Sequence, residues 1–307
     1  GLYADTFIGT NYDKVINRDD FKAPWWYVNE FTMPALKDGQ RIVLDFEGIS
    51  YSAEVWLNGK QVAARDEMTG PFKMFRYDVT DLIAENNILA VKVFRCEDGD
   101  FNIGFVDWNP RPADESMGIF RPVWVRYSDA VSVSNTAVKT KVNTNTLKEA
   151  WLTVETTVSN MSDSPVEGVL AYTYEGKTFK YPVALAAGEK KVVTVDSEDA
   201  RMFHVKNPRL WWSHDLGNPE MSEMEISFVV NGKESDAQHV DFGIRQIEEY
   251  FTEEGHKGFI LNGKKVLIKG AGWTDDIFLR NPDERNEIEL NYVKDMNLNT
   301  VRFEEVW

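Results

Sequence analysis

Apolar and polar residues alternate with a period of two along most of the first 240 or so residues. The clearest runs between about residue 25 and residue 127 are RIVLDFEG, SAEVWLNGKQVA, NILAVKVFRC and RPVWVRYS. Such alternation is typical of strands with one buried and one solvated face. Asn58-Gly59 lies between two of these runs and favours a type I′ hairpin, because both residues accept positive φ angles. Several short antiparallel strands at this spacing predict a sandwich or jelly roll.

A second β pattern, with a different motif content, covers about residues 129–243. It contains about seven short strands and a second Asn-Gly hairpin at Asn231-Gly232, which together predict an immunoglobulin-like sandwich. The first region is interrupted at 97–118 by a long strandless stretch, EDGDFNIGFVDWNPRPADESMG. Loops of this length inside compact domains are usually functional or disordered, and its aromatic residues argue against disorder.

The pattern changes again near the end of the sequence. GFILNG and KKVLIKGAGW predict two strands, NPDERNEIELNYVKDMN predicts a helix, and LNTVRFEEVW predicts another strand. Strand, helix, strand is the pattern of a parallel β-α-β crossover, the first step of an α/β barrel. We therefore predict a mostly β chain with a jelly-roll β-sandwich at 1–128, an immunoglobulin-like β-sandwich at 129–243 and a truncated start of a (β/α)8 barrel at 244–307.

The predicted helix has clear end signals. Asn281 can cap its N-terminus, Pro282 suits the first helical position, and Asn297 can adopt the left-handed conformation that ends a helix. One apolar stripe is formed by Ile288, Tyr292, Val293 and Met296.

Charge and composition argue against several classes of protein. The net charge is −16, from 50 acidic and 34 basic residues, which argues against a nucleic-acid partner. Cys96 is the single cysteine, so no internal disulfide can form. No apolar run reaches the ~18 residues that a membrane span requires, so we expect no membrane partner. The N-terminal GLYADTF lacks the apolar segment of a signal peptide, and we expect a periplasmic or secreted protein whose signal segment is absent from this sequence.

The sequence shows no local metal or cofactor motif. His204, His214, His239 and His256 have neither H-x-H nor H-E-x-x-H spacing, and Cys96 alone cannot complete a thiolate cage. No P-loop, G-x-G-x-x-G or G-x-S-x-G motif occurs. We therefore expect neither a metal nor a cofactor.

Candidate site residues lie where the predicted barrel strands end. Side chains at the carboxyl ends of barrel strands face the active-site mouth. Trp273, Asp275 and Asp276 end or follow the first barrel strand, and Arg302 and Glu304 lie on the second. Each candidate also has a structural alternative. The tryptophan could pack in the barrel, the aspartates could cap the helix or loop, and the arginine and the glutamate could form an internal ion pair.

Seven segments of the chain, in this order, resemble glycoside hydrolase family 2 from end to end: SAEVWLNGKQVA, TGPFKMFRYDVTDLI, MGIFRPVWV, NPRLWWSHDLGNP, VDFGIRQIE, FILNGKKVLIKGAGW and NLNTVR. Three further segments, PWWYVNEFTMP, VDWNPRPADESMGIFRPVWV and GAGWTDDIFLR, are most similar to its exo-β-glucosaminidase branch. The β-mannosidase branch usually carries Arg-Val-Trp-Gly on the second barrel strand, where this chain has Arg302-Phe303-Glu304-Glu305. β-Galactosidases differ further in the loop after the first strand.

The resemblance implies a retaining exo-β-glycosidase with a carbohydrate substrate, in which a jelly roll and an immunoglobulin-like domain precede the barrel. Its acid/base and nucleophile positions fall beyond Trp307, so no catalytic residue is assigned and the chain alone is predicted to be inactive. Arg302 matches the family's strand-two arginine, which keeps the nucleophile ionised, because a guanidinium lowers the pKa of a neighbouring carboxyl. Asp107 and Trp108 match a jelly-roll loop that reaches the barrel mouth in relatives, and a purely structural loop is the alternative.

Glu304 is the candidate for substrate selectivity. It lies two residues past Arg302, so both side chains are predicted on the same face of the strand. A carboxylate in that position needs a partner, and a glucosamine ammonium would provide one. A β-mannosidase or β-galactosidase of the same family and a non-catalytic carbohydrate-binding protein are the alternatives, and the residues give no oligomeric state.

Overall fold

The computed structural model describes residues 18–101, 114–273 and 282–303. The chain forms two compact units. The first unit comprises Gly1–Tyr127, Ala271–Glu289 and Val301–Trp307, and the second comprises Ser128–Gly270 and Leu290–Thr300. Strands dominate the described residues, so the mostly β fold class is confirmed. No helix in these ranges is long and apolar enough to cross a membrane.

The N-terminal sandwich is built from two layers. Its strands are β1 (Trp25–Thr32), β2 (Arg41–Phe46), β3 (Ile49–Ser50), β4 (Ser52–Leu57), β5 (Lys60–Ala63), β6 (Phe75–Asp78), β7 (Asn86–Phe94), β8 (Gly118–Ile119) and β9 (Val123–Ser128). One sheet has the order β1-β7-β4-β5 and the other β6-β2-β9, while β3 pairs with β8. The two sheets share one buried cluster, to which Leu44 and Phe46 of β2 and Val55 and Val91 of the four-stranded sheet belong. Alternate residues of the central strands β4 and β7 therefore face this common core, whereas the edge strand β1 has no buried residue.

The predicted hairpin at Asn58-Gly59 is confirmed. Asn58 has a φ of 52° and Gly59 a φ of 78°, as a type I′ turn requires. The Asn58 side chain donates to the Leu82 carbonyl at 2.8 Å and to Asn87 Oδ1 at 2.9 Å. It also accepts a hydrogen bond from the Ile88 amide at 2.8 Å, so this turn residue also joins distant parts of the sandwich.

The second sandwich also has two sheets. Its strands are β10 (Val131–Val142), β11 (Glu149–Asn160), β12 (Val166–Tyr174), β13 (Lys177–Leu185), β14 (Lys190–Val195), β15 (His204–Lys206), β16 (Ser222–Val230) and β17 (Lys233–Phe242). One sheet is β10-β11-β14, with β15 paired to β11, and the other is β13-β12-β16-β17. Leu152, Tyr172, Phe203 and Phe228 are buried between them. The second predicted hairpin is also present, with positive φ at Asn231-Gly232.

A small antiparallel sheet follows, made of β18 (Ile247–Phe251), β19 (Lys257–Leu261) and β20 (Lys264–Val266). β9 ends at Ser128 and β17 at Phe242. The domain boundaries after residues 128 and 243 stay predictions, because the second compact unit continues through Gly270.

The strand-helix-strand pattern is confirmed, but the single strand predicted over KKVLIKGAGW is divided into β20 and a following strand that belongs to another sheet. The pattern consists of β21 (Gly270–Trp273), α1 (Asp283–Asp295) and β22 (Thr300–Phe303), and the two strands are neighbours in one sheet. The amides of Asn299 and Thr300 donate to the Lys269 carbonyl at 2.9 and 3.2 Å. The two strands therefore begin side by side and run parallel.

The end signals of α1 are only partly tested. Asn297 has the predicted left-handed conformation, with a φ of 59°, and the Leu298 amide donates to the Val293 carbonyl at 3.0 Å. Asn281 lies outside the described residues.

The apolar stripe of α1 does not face a core. No residue of this helix is buried, and Ile288, Tyr292 and Met296 are 49%, 63% and 62% exposed. The predicted stripe is therefore present in the sequence of α1 but is not covered in this chain. The physical reason is area, since two short strands offer little surface to a helix, whereas a wide parallel sheet is normally covered on both faces.

Candidate functional site

The two described candidate residues lie at the carboxyl ends of β21 and β22. Trp273 is the last residue of β21 and is partly buried, and Arg302 is the third residue of β22 and is exposed. Because the strands are parallel neighbours, these ends share one edge of the sheet, where barrel enzymes place their chemistry. The roles proposed for Trp273 and Arg302 stay predictions. The remaining candidates, which lie outside the described residues, are Asp107, Trp108, Asp275, Asp276 and Glu304.

Asn299 fixes the opposite, amino-terminal edge of this sheet. Its Oδ1 accepts a hydrogen bond from the Lys269 amide at 2.9 Å, and its backbone amide donates to the Lys269 carbonyl. The Nδ2 group donates to the Leu267 carbonyl at 3.0 Å and to Asp215 Oδ2 at 2.8 Å. One side chain thus holds the start of β22 against the segment that leads into β21.

Asp215 is the anionic centre of this network. Its side chain is only 12% exposed, accepts a hydrogen bond from Ser213 Oγ at 2.7 Å and forms an ion pair with Lys269 Nζ at 3.3 Å. Burial by itself opposes ionisation, but the hydrogen bonds from Ser213, Asn299 and Lys269 and the Lys269 charge outweigh it. Together they lower the pKa of Asp215 to about 2.

The loop that carries Asp215 is itself held in place. His214 Nε2 donates to the Leu298 carbonyl at 2.6 Å, and Lys264 Nζ lies 4.7 Å from the centre of a Trp212 ring. Gly217 packs so closely against Trp212 that an added Cβ would lie 3.0 Å from its side chain. From the sequence, the Pro, Gly and Asn residues of NPRLWWSHDLGNP predict only a loop here. Its Ser213-x-Asp215 spacing was a local signal for a hydrogen bond, but nothing in the sequence pairs Asp215 with Asn299.

In the N-terminal sandwich, Asp114 is the first described residue after 102–113, and it is partly buried. Burial raises the pKa of Asp114, against the opposing effect of the Ser116 amide, which donates to its Oδ1 at 3.1 Å. Burial and the Asp114 charge also raise the pKa of Tyr27. Glu115 and Ser116 both have positive φ, at 53° and 52°. Two adjacent non-glycine residues in this region are uncommon and persist only where their surroundings hold them.

Comparison with known proteins gives the family. Residues 1–98 match the family model described as "Glycosyl hydrolase 2 galactose-binding domain-like", and residues 131–245 match "Glycosyl hydrolases family 2". The chain belongs to glycoside hydrolase family 2. The predicted resemblance to this family, including its exo-β-glucosaminidase branch, is confirmed.

Three curated relatives and a solved structure show how far the likeness extends. The exo-beta-D-glucosaminidases of Streptomyces avermitilis and Amycolatopsis orientalis are 36% and 35% identical over 99% of this chain, which spans 34% and 29% of their lengths. The mannosylglycoprotein endo-beta-mannosidase of Lilium longiflorum is 26% identical over 98% of this chain and 34% of its own length. The crystal structure of Amycolatopsis orientalis exo-chitosanase CsxA matches with a TM-score of 0.89 and 35% identity, over 98% of this chain and 35% of that chain. The chain therefore spans about a third of these relatives.

Proposed function

We propose that this chain belongs to an exo-acting β-glycosidase that removes terminal β-linked glucosamine with retention of configuration. The observation that carries the proposal is the 36% identity to an exo-beta-D-glucosaminidase over 99% of the chain. The position of Arg302 on β22 supports it, because an arginine at this place in the barrel would lower the pKa of a neighbouring nucleophilic carboxyl group.

The proposed chemistry divides between this chain and the remainder of the enzyme. Retaining glycosidases use two carboxyl groups about 5–5.5 Å apart, one as acid and base and the other as nucleophile. Family resemblance assigns both to positions beyond Trp307. Arg302 would keep the nucleophile ionised by lowering its pKa, and Trp273 would offer an indole face to a sugar ring. The network around Asp215 would support this arrangement from the opposite edge by fixing where β22 starts.

Kinetics on the full-length protein test the proposal. We expect hydrolysis of an aryl β-D-glucosaminide with a much higher kcat/KM than that of the matching β-mannoside or β-galactoside, and a first product with β configuration by NMR. A preference for the mannoside or the galactoside would assign the protein to another branch of the family. Binding of these sugars without hydrolysis of any of them would favour a carbohydrate-binding protein.

A further inference from the structure

The solvent face of the edge pair β16–β17 carries an imidazole among carboxylates. β17 is the edge strand of its sheet. In the antiparallel register Glu223 lies opposite Asp241, and Glu225 lies opposite His239. Because side chains two residues apart share a face of a strand, all four project from the same surface. All four are exposed, whereas the alternate residues Met224 and Ile226 are buried.

Three of these side chains converge. His239 Nε2 lies 3.2 Å from Asp241 Oδ1, and one ligand atom from each of Glu223, His239 and Asp241 lies within 4.8 Å of the others. Zinc binds imidazole nitrogen and carboxylate oxygen at about 2.0–2.2 Å, so two ligands of one tetrahedral ion are about 3.4 Å apart. The His239–Asp241 distance matches this spacing, whereas the 4.8 Å limit for the three atoms exceeds it, so rotation of these exposed side chains would have to bring all three ligands onto one ion.

We propose that Glu223, His239 and Asp241 form a binding site for a divalent transition-metal ion of the zinc type. Two carboxylates and one imidazole would supply three ligands and leave a position for water, as in open zinc sites. The imidazole nitrogen favours such an ion over calcium or magnesium, which prefer oxygen ligands. This site is independent of the glycosidase proposal, since none of its residues belongs to that candidate site.

Charge gives a second reason for a cation at this position. Glu223 and Asp241 form a directly opposed pair of like charges, which destabilises an antiparallel sheet. A divalent ion between them converts the repulsion into attraction, while the strand ladder holds both backbones in register. Sequence spacing gave no sign of the site because the ligands come from two strands, with a single histidine among them.

Isothermal titration of zinc chloride into the tag-free 307-residue chain near neutral pH tests the proposal. We expect each chain to bind one zinc ion at this cluster. His239→Ala should weaken that binding by at least roughly tenfold, since even indirect partners of metal ligands contribute 10–100-fold. Glu225→Gln is the matched control, because it removes a carboxylate from the same exposed face but not from the converging set, and it should leave the affinity unchanged.

The other outcomes overturn the proposal. An absence of zinc binding would show that the cluster is a solvated ion pair. Equal binding by the His239→Ala variant would place the zinc at other groups, since His204, His214 and His256 remain in every variant. Equal competition by magnesium would indicate an unspecific acidic surface. Circular dichroism and urea midpoints of the variants separate lost binding from lost folding.

Discussion

At the scale of single residues, Asp215 combines low exposure with three stabilising partners. Its folded pKa is about 2, below the ordinary value of 3.8. A carboxyl group whose pKa is depressed by folding stabilises the protein above the unfolded pKa, and this stabilisation is lost as the pH falls through the folded value. The contribution of Asp215 should therefore be complete above about pH 4 and disappear toward about pH 2.

The corresponding variant is Asp215→Asn, which keeps the shape of the side chain but loses the charge that faces Lys269. We expect it to lower the free energy of unfolding by about 1–2 kcal/mol near neutral pH, since partial solvent contact screens the ion pair. The difference from the parent should shrink in urea titrations as the pH falls from about 4 to about 2. Asp163→Asn, at an exposed acid of the same unit, is the control. An effect of Asp215→Asn that is independent of pH would show that the charge has no part in it.

Glu304 is the residue on which substrate selectivity is predicted to depend. In the full-length protein, Glu304→Gln should lower kcat/KM on a β-glucosaminide by about 10- to 150-fold, the equivalent of a charge-assisted hydrogen bond of ~1.5–3 kcal/mol. Activity on neutral β-glycosides, where measurable, should change far less. Glu305→Gln, predicted to lie on the other face of the strand, is the matched control. Equal losses on both substrate types would give Glu304 a structural role instead.

At the scale of elements, two glycines of the second sandwich are required for different physical reasons. Gly232 ends a hairpin turn with a φ of 81°, and a Cβ there would meet nothing within 4 Å. Gly168 lies within β12, where a Cβ would be 2.5 Å from Phe228 Cε1 and 2.7 Å from the Val229 carbonyl oxygen. The first glycine is required by backbone conformation and the second by packing.

Alanine substitutions separate these two causes. Gly232→Ala should cost roughly 1–2 kcal/mol through its left-handed backbone, and Gly168→Ala about 1–3 kcal/mol through overpacking. In a Phe228→Leu background, urea unfolding should show a smaller cost for Gly168→Ala and an unchanged cost for Gly232→Ala. If Gly168→Ala costs as much in the Phe228→Leu background as in the parent, the contact with Phe228 does not set the cost at Gly168.

At the scale of the whole molecule, burial is uneven. Each sandwich has its own buried cluster, whereas α1 has no buried residue. Backbone hydrogen bonds that no packed side chains protect open at low free energy. We therefore expect amide hydrogen exchange in α1 to be much faster than in β11 and β16. Protection of α1 equal to that of these strands would mean that the helix is packed in solution.

The last prediction concerns the activity of this chain without the rest of the enzyme. The 307-residue chain by itself should not hydrolyse an aryl β-glucosaminide, because the two carboxyl groups that cleave the acetal are assigned to positions beyond Trp307. Release of nitrophenol above that of a heat-denatured sample would contradict this. A longer chain that includes the predicted barrel is the positive control.

The sequence by itself determined the strands, the hairpins and the family. Alternation of period two reports which face of a strand is buried, and Asn-Gly pairs such as Asn58-Gly59 report a backbone conformation that few other residues adopt. These signals are local, so they survive without knowledge of the fold. The strand-helix-strand order near the end was equally visible, including the left-handed Asn297.

Only the tertiary structure decided which distant side chains meet. Asp215 and Asn299 are 84 residues apart, and Glu223 and His239 come together only because β16 and β17 pair in one register. Such contacts depend on the packing of whole elements, and a residue's type and its neighbours in sequence do not specify them. The exposed stripe of α1 shows the same limit, since an amphipathic pattern indicates which face can be buried, while the surrounding structure decides whether it is.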